Sequence, residues 1–71
     1  MIRVQMVRSG MLAYQAEFDN EAEAVSTAES IAAGCGDAKK DSVSGCLISF
    51  STKGGFVRAV DLGSYANATS A

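Results

Sequence analysis

Hydrophobic side chains recur along this chain with two periods, and the change from one to the other divides it into elements. Residues 2–8, IRVQMVR, alternate: Ile2, Val4 and Met6 point one way, and Arg3, Gln5 and Val7 the other. A period of two marks a half-buried strand. Ser9-Gly10 supplies turn chemistry, and residues 11–18, MLAYQAEF, resume the alternation with Leu12, Tyr14, Ala16 and Phe18 on one face. Two alternating runs around a Ser-Gly pair predict a β-hairpin.

Near Asn20 the spacing lengthens to three and four. Ala24, Val25, Ala28, Ile31, Ala32 and Cys35 form one stripe of an amphipathic helix. Asn20 and Glu23 make a capping pattern at its start, where Asp19 and Glu21 add negative charge near the helix N-terminus. Gly34 or Gly36 ends the helix in the left-handed conformation, so it is expected over residues 20–34. Its alanines favour the helix and let it lie close to a sheet.

Residues 36–44, GDAKKDSVS, read as a polar connection, long enough to hide a short turn or an edge strand. Alternation returns from Gly45, with Cys46, Ile48 and Phe50 set against Leu47, Ser49 and Ser51. Thr52-Lys53-Gly54-Gly55 is a turn signal, and residues 56–62, FVRAVDL, are the last strand. There Phe56, Arg58, Val60 and Leu62 share one side and Val57, Ala59 and Asp61 the other, so which side is buried stays open.

These elements predict one α+β domain over residues 1–62, ββαββ: a four-stranded antiparallel sheet with the helix packed on one face. Residues 63–71, GSYANATSA, are expected to be a flexible C-terminal tail. If the helix runs back across the sheet, the third strand points the same way as the second. The strand order is then 2-1-3-4, favoured here, or 1-2-4-3. The expected core is Ile2, Val4, Met6, Leu12, Tyr14, Phe18, Val25, Ala28, Ile31, Cys46, Ile48, Phe50, Val60 and Leu62. The other sheet face stays open.

Composition narrows the function. Seventy-one residues make a single domain of marginal stability, on the order of 3–5 kcal/mol, to which homodimerisation would add buried area. A net charge of −2 and a pI near 4.8 argue against direct nucleic-acid binding, which needs a basic footprint. No apolar run approaches the ~20 residues of a membrane span. The strand-like N-terminus is not a signal-peptide core, so a cytoplasmic location without membrane attachment is expected. Cys35 and Cys46 are too few for a disulfide framework and lack zinc spacing; they read as reduced small hydrophobes, with a mutual disulfide the lesser alternative.

The chain has no histidine, which removes Ser–His and Cys–His nucleophile systems and Cys/His metal sites. No Gly-x-Ser-x-Gly elbow occurs, and Gly34-Cys35-Gly36 follows a helix where a dinucleotide loop would follow a strand. Asn67-Ala68-Thr69 reads as a chance match to a glycosylation acceptor. No catalytic, cofactor-binding or metal-binding residue is expected, and the chain is read as a non-enzyme.

Candidate partner-binding residues fall into two groups. Glu17, Asp19, Glu21 and Glu23 put four carboxylates within seven residues. They either complement the helix dipole or meet basic surface on a partner. Arg3, Arg58, Gln5 and Gln15, with Ser49, would make a polar platform on the open face, while Lys39, Lys40 and Lys53 lie in loops. No aromatic partners these arginines at strand spacing, which disfavours an RNA-stacking sheet. Met11, Val7 and Leu47 are candidate exposed apolar positions on the same face.

The strand IRVQMVR, the helix EAEAVSTAESIAAG, and the strand at Gly45-Cys46-Leu47-Ile48 with its Gly-Gly hairpin resemble small phage-encoded inhibitor proteins, including some type I anti-CRISPR proteins. The resemblance covers most of the chain as a pattern. It implies a stoichiometric inhibitor that docks on a host protein or nucleoprotein complex through charged surface residues. The expected function is therefore protein binding; a small structural or regulatory homodimer and a nucleic-acid-binding domain are the alternatives.

Overall fold

The structure, a computed structural model, describes residues 1–62; the expected tail and the Asn67-Ala68-Thr69 match lie outside the described residues. The chain runs β1 (Ile2–Arg8), β2 (Met11–Phe18), α1 (Glu21–Cys35), β3 (Lys39–Asp41), β4 (Cys46–Thr52) and β5 (Gly55–Asp61). All strands join one antiparallel sheet in the order β2-β1-β5-β4-β3. The α+β class with a single helix is as expected, but the sheet has five strands and not four.

The extra strand also changes the order. Residues 39–41 of the polar connection pair with Ser49–Ser51, so the chain reverses once more before β4. That reversal turns β4 parallel in direction to β1. An antiparallel neighbour for β1 must then be β5, and the 2-1-3-4 order, which put the strand at Cys46 beside β1, is replaced. Lys39 and Lys40 accordingly lie on a strand and not in a loop.

Helix α1 forms where the spacing predicts. Asn20 is extended and its Oδ1 accepts from the Glu23 amide at 3.0 Å, while Gly36 closes the C-terminus at φ 78°. Such a cap contributes on the order of 1 kcal/mol. Ala24, Ala28 and Ala32, four residues apart, are the buried stripe. With only methyl groups on its fully buried stripe, α1 settles closely over Val4 and Ile2 of β1, Val57 and Ala59 of β5, and Ile48 of β4. Met6, Phe18, Val25, Ile31, Cys35 and Phe50 pack around this centre.

Several expected core positions differ. On β5 the buried residues are Val57 and Ala59, not Val60 or Leu62, because Val57 and Ala59 pair with Met6 and Val4 on the helix side. Cys46 is half-buried on the face opposite the helix. Leu12, 55% exposed, is turned to the face away from the helix by the register shift opposite Met6 and Val7, and Tyr14, 37% exposed, stays on the helix side but on an edge strand. The two cysteines stand on opposite faces: Cys35 Sγ lies 3.9 Å from Met6 Sδ under the helix, whereas Cys46 aligns with Val60. Both are free thiols, and the sheet between them precludes the disulfide alternative.

Candidate functional site

The face turned away from α1 is covered by no other element among the described residues, and antiparallel register organises it into rows. The central row takes one residue from every strand: Gln15, Gln5, Arg58, Ser49 and Asp41. Gln5 Nε2 donates to Gln15 Oε1 at 2.8 Å, and Arg58 Nε donates to Ser49 Oγ at 3.2 Å. Ser49 is only 1% exposed on this otherwise wet face, roofed by its neighbours. The Ser51 hydroxyl donates to Asp41 Oδ2. Hydrogen bonds from Ser49 and then Ser51, with a smaller attraction from Arg58, hold the Asp41 carboxyl below its usual value.

The rows on either side differ in character. One carries Glu17, Arg3, Val60 and Cys46, with Arg3 Nη2 bonded to Glu17 Oε2 at 2.9 Å. Both side chains are more than a third exposed, so the pair contributes at most about 1 kcal/mol. The other row carries Leu12, Val7, Phe56, Ser51 and Lys39. Arg58 bridges the rows: its guanidinium lies over the Phe56 ring, 3.9 Å from the centroid, a cation–π contact that holds the side chain flat on the sheet.

The structure thus divides the candidate residues. Arg3, Gln5, Gln15, Glu17, Lys39 and Arg58 come together on the open face. Asp19, Glu21 and Glu23 stand apart at the start of α1, where Glu21 and Glu23 occupy the first helical turn. The acidic run is therefore split, with Glu17 engaged by Arg3. Lys40 pairs with Phe50 and belongs to the helix side. Lys53 sits in the β4–β5 turn, its amide bonded to Asp37 Oδ2 at 3.0 Å.

The expectation that no aromatic accompanies the arginines is corrected by Phe56 under Arg58. The signal was two residues on one strand, two apart, whose contact depends on the rotamers that a packed sheet selects. Asp41 and Ser51 were missed because Asp41 lies in the stretch read as a connection. The apolar positions also regroup: Val7 joins Leu12 and Phe56, whereas Met11 pairs with Arg8, one step out of phase, and Leu47 is left unpaired in a β-bulge.

Among the described residues no group of three His, Cys, Asp or Glu side chains could hold a metal ion. A shallow groove of about 240 Å³ beside α1, lined by Glu29, Ala32, Ala33, Ala38 and Phe50, holds a single ionisable group. No helix of the described residues is long and apolar enough to cross a membrane. No protein-family model matches the chain, and no curated protein or solved structure does either.

Proposed function

We propose that the chain is a non-enzymatic protein-binding module that docks through the open sheet face. The observation that carries this reading is the ladder Gln15–Gln5–Arg58–Ser49–Asp41, a polar row spanning all five strands whose side chains are bonded in two groups, Gln15 with Gln5 and Arg58 with Ser49 with Asp41. A rigid polar row loses little conformational freedom on binding. The adjacent Leu12–Val7–Phe56 row supplies apolar area to anchor a partner, the mixture of polar and apolar contact found in protein interfaces.

In the form that the sequence resemblance implies, the module is a phage-encoded stoichiometric inhibitor acting in the cytoplasm on a host protein or nucleoprotein complex. Its contact would be with protein. Arg3 is answered by Glu17, and Arg58 by Ser49 and Phe56, so both arginines of this face are already engaged and poorly disposed to track phosphates.

The test is affinity capture from the native host with the wild-type chain and with a variant carrying glutamine at Arg3, Glu17, Lys39 and Arg58. The wild type is expected to retain a partner stoichiometrically and leave it chemically unaltered. The variant, shown to be folded by circular dichroism, should bind that partner at least about tenfold more weakly. Equal binding by the two proteins rejects the open face as the docking surface.

A further inference from the structure

The two edges of the sheet are built differently. The β3 edge is three residues long, Lys39, Lys40 and Asp41, all charged and exposed, which is how soluble proteins blunt an edge against another strand. The β2 edge runs eight residues, has no proline, and carries Glu17 as its one charge. Met11, Leu12 and Tyr14 on it are 73%, 55% and 37% exposed. A β-bulge interrupts β2 opposite Met6 and Val7, but residues 14–18 beyond it pair regularly with β1 and leave their outer edge open.

We propose that β2 is a dimerisation edge, pairing antiparallel with β2 of a second copy about a two-fold axis through Ala16. The side-chain chemistry selects both the occupant and the register. Arg3 Nε and Nη2 both donate to Glu17 Oε2, at 3.3 and 2.9 Å, leaving Oε1 as an acceptor. Gln15 accepts from Gln5 through its own Oε1, leaving its NH₂ as a donor. An axis through Ala16 sets Gln15 of each copy opposite Glu17 of the other, so that free donor meets free acceptor twice. The same axis sets Tyr14 opposite Phe18 twice on the helix side, an aromatic pairing that stabilises antiparallel strands. Ala16, small and half-buried, occupies the axis itself.

Neighbouring registers lack this match. Axes through Tyr14, Gln15 or Glu17 would set Glu17 against Met11, against Ala13 or against its own symmetry mate. An isologous pairing also buries area that a 71-residue domain is short of. The resulting sheet has ten strands, twice the five of one copy, with both helices on one side and, on the other, the Gln15 ladder of each copy running on into the Glu17–Arg3 row of its partner. The dimer does not depend on the docking role of the open face, and the two are read by different measurements.

Sedimentation equilibrium of the full chain, from low micromolar to sub-millimolar concentration, is expected to show a species of twice the 7.3 kDa monomer mass growing with concentration. Gln15 is exposed, so its substitutions leave the fold intact. Gln15→Glu, which opposes carboxylates in both symmetric pairs, should raise the dimer Kd by about tenfold, and Gln15→Lys should lower it by a similar factor. Ala16→Lys and Ala16→Glu should each be monomeric alone and dimerise when mixed in equal amounts, since each residue meets its own copy on the axis. A wild type that stays monomeric throughout overturns the proposal, as does a dimer indifferent to both Gln15 substitutions. Folded Ala16 variants that stay monomeric when mixed overturn the axis. If those variants fail to fold, the Gln15 pair decides.

Discussion

Gly55 opens β5 at the point where the end of β1 comes closest, and replacing it with alanine isolates what that approach is worth. A Cβ built there would lie 1.7 Å from the Val7 carbonyl oxygen, 2.5 Å from its carbon and 3.1 Å from the Arg8 nitrogen. All three are backbone atoms, so no side chain can swing aside. To reach even 3.0 Å, the tightest separation that real Cβ atoms show, β1 and β5 must part by at least about 1.3 Å. In isolation the substitution would stabilise the strand by about 0.4–1 kcal/mol through the unfolded chain. Against this stand overpacking, about 1–3 kcal/mol, and the loss of one or two backbone hydrogen bonds at about 1 kcal/mol each.

The net expectation for Gly55→Ala is a loss of about 2–4 kcal/mol, comparable with the whole stability of a domain this size. Urea unfolding followed by far-ultraviolet circular dichroism reads it directly. Gly54→Ala is the control: φ is +90° there, but the nearest atoms lie at 3.6 Å and beyond, so only the left-handed backbone penalty of about 1–2 kcal/mol applies. A Gly55→Ala midpoint at or above that of the wild type would refute the argument that backbone approach, not glycine's flexibility, sets this position.

Two further perturbations follow from the same geometry. Gly34→Ala, inside α1 with nothing among the described residues within 4 Å of the added methyl, should stabilise the protein by about 0.5–1 kcal/mol, visible as a raised thermal midpoint. Asp41 contributes pH dependence of known sign. Its folded pKa lies below the ordinary 3.8, so its stabilisation is complete above that value and is lost as pH falls through the lower folded one. Unfolding midpoints of wild type and Asp41→Asn should therefore differ at neutral pH and draw together in acid. Curves that stay equally far apart at every pH would contradict the role of the Ser49 and Ser51 hydroxyls.

The local pattern of the chain was enough to place every long element. The switch of period near Asn20, the Asn20 cap, and the alanine stripe Ala24–Ala28–Ala32 are short-range properties, settled within a few residues of themselves. The open-face placement of Arg3, Gln5, Gln15 and Ser49 was legible for the same reason: alternation assigns residues to a face before the sheet is assembled. That of Arg58 was not, because it shares its side of the strand with Val60 and Leu62, which were expected in the core. Partner strands are not encoded so locally. Three charged residues at 39–41 carry no periodicity, yet by adding one reversal they changed which strand lies beside β1. FVRAVDL is apolar on both sides, and only the neighbours Val4 and Ile48 determine that Val57 and Ala59 go inside. Tyr14 looks like core until the helix, drawn close by alanines, centres over β1, β5 and β4 and leaves β2 at the margin, and Leu12 until the β-bulge beside it turns it to the other face. Asp41 and Phe56 acquired their contacts only then, because strand register joins residues far apart in the chain.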